Sequence, residues 1–114
     1  MSYGHSVRLL AEPLRSLAFG AIGAAYIGVG TSIDNPARMI LVQNFTDETL
    51  MFSFDGVEDH FPLVESAHLI LDIAGNRTSE SGFYLAEGQR LYVKEILVTP
   101  TTGSVYLTVF YGKN

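Results

Sequence analysis

The stretch 16-SLAFGAIGAAYIGVGTS-32 decides how this chain is read. It carries no charge, and glycine recurs at Gly20, Gly23, Gly28 and Gly30. Three readings compete for it. A membrane-spanning helix needs about 20 mostly apolar residues. The uncharged window between Arg15 and Asp34 approaches that length. Each glycine, however, costs a helix about 1 kcal/mol, and no leucine-rich body offsets the loss. A phosphate-binding loop requires a lysine after its glycines, and none follows here; the spacing of a dinucleotide-binding turn also fails.

Extended chain remains. Glycine inside a strand marks a bulge, a sharp bend or the close approach of another backbone. Alternation then places Leu17, Phe19, Ala21, Ala25, Ile27 and Val29 on one face, with Ile22, Ala24 and Tyr26 on the other. A strand apolar on both faces is covered on both sides. Either a neighbouring subunit supplies the second cover, or the segment bends and crosses between the two sheets of one sandwich.

Downstream, the pattern is β throughout. "ARMILVQNF" is rich in branched residues and ends in the turn cluster "TDE". In "TLMFSF", Leu50, Phe52 and Phe54 face one way, and Asp55-Gly56 stops the run. "DHFPLV" contains Pro62, which places it at a sheet edge or bulge. "AHLILDI" follows, then the polar loop "AGNRTSESG". "FYLAEGQRLYVKEILV" reads as a strand, a turn at Glu87-Gly88 and a longer strand. "VYLTVFYG" closes the chain, with Val105, Leu107, Val109 and Tyr111 on one face. Seven or eight short strands with regular turn signals predict an all-β fold, an antiparallel, jelly-roll-like β-sandwich. It occupies residues 15–114. Residues 1–14 read as an extended N-terminal arm, because Pro13 breaks any helix there and Val7, Leu9, Leu10 and Leu14 are too few for a core. Such an arm is expected to be disordered or to lie on a neighbour.

With 114 residues, one domain is expected. Only 17% of residues are charged, against a typical ~25%. A shortage of charged surface implies that part of it is covered by something. The net charge of −5 and the scatter of the seven basic residues argue against binding the phosphate backbone of nucleic acid. Cysteine is absent, which excludes disulfides, thiolate metal sites and a cysteine nucleophile. The N-terminus does not read as a secretory signal, since Glu12 and Pro13 interrupt its apolar residues. The sequons at Asn44 and Asn76 are then chance matches.

Candidate chemistry is thin. Asp55, Glu58, Asp59 and His60 lie close enough in sequence to hold a divalent cation, but their spacing misses the calcium-loop pattern and suits a solvated acidic turn or a surface for a basic neighbour. Ser66, His68 and Asp72 form a triad only on paper, without a nucleophile elbow. No catalytic residue, cofactor or metal is therefore expected. The tyrosines of the C-terminal half, Tyr84, Tyr92, Tyr106 and Tyr111, suit either the core rim or an interface.

The run "PARMILVQNFTDETLMFSFDGVEDHFPLVESAHLILDI", followed by "GFYLAEGQRLYVKE" and "TTGSVYLTVFYG", resembles small β-sandwich virion proteins of tailed bacteriophages. The likeness lies in the "QNFTD" strand end, the "SFDG" turn, the "LDI" strand, the "GFYL" approach and the closing "GSVY" strand, over roughly residues 36–112. It implies a non-enzymatic structural subunit at the neck or tail, in the head-tail connection or at fibre attachment. That subunit is made in the host cytoplasm and carried in the virion, contacting other virion proteins and copies of itself, with neither nucleic acid nor membrane as a direct partner. A capsid decoration (cement) protein is the first alternative. A carbohydrate- or receptor-binding module, with an aromatic cluster near Tyr84 and Tyr92, is the second. Under the assembly readings the expected interface comprises Leu9, Leu10, Leu14, Phe19, Gly20, Gly23, Tyr26, Gly28 and Gly30.

Overall fold

The computed structural model describes residues 8–72 and 88–113. They contain β1 (Arg8–Ala11), β2 (Arg15–Ala18), β3 (Ile27–Gly28), β4 (Ala37–Asn44), β5 (Leu50–Ser53), β6 (Phe61–Leu63), β7 (His68–Asp72), β8 (Tyr92–Glu95) and β9 (Ser104–Lys113). Among the described residues the only helical element is a 3-10 turn, Phe19–Ala21. Two antiparallel sheets pack as a β-sandwich. In the first, β1 and β2 follow one another along the same edge of β9, and β4 and β7 continue the sheet. The second runs β3-β8-β5-β6. The strands exceed the expected seven or eight because the short N-terminal strands carry too few alternating residues to register by pattern alone.

The longest strands follow their alternation. In β4, Ile40 and Val42 are buried while Met39 and Leu41 turn outward and are half-buried. In β9, Val105, Leu107 and Val109 face the core. Leu50, Phe52 and Val93 meet them from the second sheet. Phe52 stacks on Phe61 with ring centroids 5.1 Å apart. Each such fully buried side chain contributes roughly 1.5–3 kcal/mol.

The glycine-rich stretch crosses from one sheet to the other. β2 belongs to the five-stranded sheet and β3 to the four-stranded one. The 3-10 turn between them breaks the two-residue period, so the expected faces do not persist. Ile22 and Val29 enter the core, whereas Phe19 and Ile27 stay 38% and 36% exposed. The close approach that glycine permits also differs in kind. At Gly28 it is the Arg90 guanidinium that fills the space of a Cβ, while Arg90 Nε donates to Gly30 O at 2.7 Å. Backbone meets backbone instead at Gly103, where φ is +89° and a Cβ would overlap the Phe45 carbonyl.

Asn44 ties the β4–β5 and β6–β7 connections together from within. Its Nδ2 donates to the carbonyls of Glu48 and Leu63 at 2.9 Å each, and its Oδ1 accepts from Thr46 N–H at 3.0 Å. The side chain is fully buried, so the first sequon is shielded; Asn76 lies outside the described residues.

Candidate assembly surfaces

The acidic turn is committed to its own geometry. Asp55 Oδ1 accepts from the N–H groups of Val57 and Glu58 at 2.8 and 2.9 Å, and from Ser53 Oγ at 2.8 Å. These bonds pull its carboxyl down to about 2. Asp59 accepts from Tyr26 Oη at 2.5 Å and pairs with Lys94 at 3.3 Å, which lowers its pKa. Burial, and then the bond to Asp59, raise the Tyr26 phenol. Lys94 Nζ also sits over the Tyr26 ring, 4.7 Å from its centroid. His60 Nδ1 accepts from Phe54 N–H at 2.9 Å. Among the described residues no group of acidic and imidazole side chains is arranged to hold a metal ion. His68 and Asp72 stand four residues apart on β7, about 13 Å by strand rise, too far to hydrogen-bond.

The edge formed by the N-terminal strands is built in two unlike halves. β1 pairs Ala11 with Phe110, and β2 pairs Arg15 with Leu107. Glu12, Pro13 and Leu14 therefore stand opposite only Thr108 and Val109, a bulge with one extra residue. Glu12 N–H keeps the β1 register by donating to Val109 O at 2.9 Å. The bulge turns both Glu12 and Arg15 inward, where they are 5% and 6% exposed. Their side chains pair at 2.9 Å. Arg15 Nε and Nη2 then reach the carbonyls of Thr31 and Ser32 at 2.9 and 2.8 Å. Glu12 also accepts from Asp34 N–H at 3.1 Å and Asn35 Nδ2 at 2.9 Å. Burial alone would raise the Glu12 pKa, but the bonds from Asn35, Asp34 and Arg15 outweigh it and hold the carboxyl below its usual range. This clamp ties residues 31–35 to the inward side of the bulge and of the start of β2. β1 has no such clamp among the described residues.

The residues expected at an interface divide accordingly. Leu9 on β1 and Leu14 in the bulge are 61% and 60% exposed, and Leu10 is half-buried. Phe19 and Gly20 lie at the surface, and Gly23 and Tyr26 are half-buried. A Cβ at Gly20 or Gly23 would meet nothing. Gly28 is buried beneath Arg90, and Gly30 lies against the Arg15 stem. The fold itself uses these last two, and their smallness serves contacts within the chain. Tyr84 lies outside the described residues, and the Tyr92 ring carries Arg90 at 5.8 Å from its centroid.

Two further apolar areas emerge only from the tertiary arrangement. The outer face of the five-stranded sheet aligns Thr108, Leu41 and Ile70 in one row, and Ala11, Phe110 and Met39 in the next. Ile70 is 56% exposed, and Phe45, packed edge-on against Tyr106, is 49% exposed. The second area is the tip after β8. The run "KEILV" reads as strand, yet β8 ends at Glu95 and leaves Ile96, Leu97 and Val98 outside the sheet, Leu97 being 90% exposed. Three apolar residues directly before Thr99-Pro100 were the only signal of this tip. A hollow of about 410 Å³ lies beside it, floored by Ala24 and Met51 and bordered by Asp59 and Lys94.

No helix among the described residues is long and apolar enough to cross a membrane. No family model, curated protein or solved structure matches the chain.

Proposed function

We propose that the chain is a non-enzymatic structural subunit of a tailed-phage virion, repeated at the neck or tail and held by copies of itself and by other virion proteins. The observation that carries this reading is the apolar surface left on a finished sandwich. Leu97 stands out between Ile96 and Val98, and Leu9, Leu14 and Ile70 are each more than half exposed. Apolar patches of this kind are what neighbouring subunits bury. Repetition makes small contacts effective, because each copy is held by several others. The strand-and-turn likeness over roughly residues 36–112 supplies the kind of particle.

The test is immunolabelling of virions from the producing culture with an antibody to the chain. Label confined to the neck or tail is the expected result. Label over the head surface would favour the decoration protein, and unlabelled virions would overturn the reading.

A further inference from the structure

We infer that His60 is a pH-operated latch on the loop between β5 and β6: the neutral imidazole holds the loop shut, and protonation releases it. The inference is independent of the proposed function. Its physical basis is the ring atom that makes the closing bond.

Residues 54–60 connect β5 to β6, and His60 closes this loop with both its backbone and its side chain. Its N–H donates to Phe52 O at 3.0 Å. Its Nδ1 accepts from Phe54 N–H at 2.9 Å, so the ring does for the first residue after β5 what a strand carbonyl would do. The ring also lies against that of Phe54, with centroids 5.8 Å apart. This side-chain bond depends on protonation. The backbone amide can only donate, so Nδ1 must offer a lone pair, and the proton of the neutral ring sits on Nε2. The imidazolium carries a proton on both nitrogens and cannot accept. Two donors would then face each other at hydrogen-bond distance, and the ring has to turn away.

The charged neighbours favour that turn. Asp55, lowered first by the Val57 and Glu58 N–H groups, and Asp59, lowered first by Tyr26, both also feel the His60 charge. The Glu58 side chain on the same loop is exposed. β5 and β6 carry no titratable side chain. From β8 comes Lys94, 3.3 Å from Asp59, and from the segment before β3 comes Tyr26, bonded to Asp59. With Asp55 at about 2 and Asp59 below its usual 3.8, both carboxylates stay ionised between pH 5 and 8. Burial, and then the bond to Asp59, raise the Tyr26 phenol away from that window. Imidazole is the side chain whose ordinary titration falls within it. The effect reaches past the loop, because Asp59 is the neighbour of His60 in the chain. Asp59 holds Tyr26 and Lys94 and borders the hollow of about 410 Å³ beside the apolar tip. A loop released at His60 therefore loosens one wall of that hollow.

The experiment is nuclear magnetic resonance of the full chain between about pH 5 and 8. At the upper end, the ring nitrogen shifts of His60 should show a bare Nδ1 and a protonated Nε2. Protection of the Phe54 amide, corrected for its intrinsic exchange rate, should fall about tenfold as the His60 ring takes up its proton, as the loss of one hydrogen bond implies. The Tyr26 ring signals should shift with the same midpoint. His60→Asn puts an amide oxygen where Nδ1 stood, and that oxygen accepts at every pH. This variant should therefore keep Phe54 protected throughout, whereas His60→Ala should leave it unprotected throughout. His68→Asn should titrate as the unmodified chain does. A proton on Nδ1 at the upper end, or Phe54 protection that does not vary with pH, would overturn the latch. So would a pH dependence that survives in His60→Asn, since another group would then be its source. Tyr26 signals that stay fixed while Phe54 opens would overturn it too, because the loop would not be moving with its histidine.

Discussion

The two halves of the edge beside β9 have the same neighbour and opposite fates. At the start of β2, a buried ion pair and two bonds to carbonyls tie residues 31 and 32 to the inward side of the strand. Along β1, four residues lie against β9 with their far side open among the described residues. A single extra residue separates the halves. Without the bulge at residues 12–14, side-chain alternation would have sent Glu12 and Arg15 to opposite faces. With it, both point inward and can pair. One insertion therefore builds a clamp for one half of the edge and ends its reach at the other.

Breaking the clamp should produce the largest effect. Arg15→Met leaves the Glu12 carboxylate buried without its cation, and should lower unfolding stability by about 3–5 kcal/mol in a denaturant titration. A loss under about 1 kcal/mol, the range of exposed pairs, would mean that the pair behaves as a surface contact. Gly30→Ala should come next. Gly30 has φ of +68°, and an added Cβ would crowd the Arg15 stem. A cost of about 1–3 kcal/mol is expected, with β1 exchange protection little changed.

Acid should weaken the same half. The Glu12 pKa is depressed in the folded state below the ordinary 4.5. Its contribution is therefore complete above that value and is lost as pH falls through the folded one. Asp55 and Asp59, also depressed, act with the same sign, so the informative quantity is a difference. Stability of Glu12→Gln should fall less steeply with acid than that of the unmodified chain; parallel profiles would remove Glu12 from the account. The smallest effect belongs to β1. Leu9→Ser should change monomer stability by no more than about 0.5 kcal/mol, since Leu9 is 61% exposed. A larger loss would show that β1 already contributes to the closed fold as β2 does.

Much of this molecule was legible in the chain. The branched run "ARMILVQNF" read as a strand, and the alternation in "VYLTVFYG" put Val105, Leu107 and Val109 on one face, where the structure buries them. Asp55-Gly56 and Pro62 marked a turn and an edge strand where both occur, because these residues act through their own backbone limits. The candidate site was legible only in part. Leu9 and Leu14 were recognised as apolar residues with no core to enter, and both remain exposed. Gly28 and Gly30 were read as places of contact, and the contact proved to be with Arg90 and Arg15 of the same chain.

What the sequence determined by itself was whatever local stereochemistry and period control: an all-β chain, its long strands and its turns. What only the tertiary structure decided depends on residues distant in sequence. No pattern in residues 12–15 announces that Glu12 and Arg15 will be buried together, because that follows from a one-residue mismatch with Thr108 and Val109 at the other end of the chain. Nor does "EILV" disclose where its strand stops, since the end of a strand is set by where its partners end. β8 pairs with β5 only from Ser53 back to Leu50, and at Glu95 that partner runs out, leaving Leu97 in solvent.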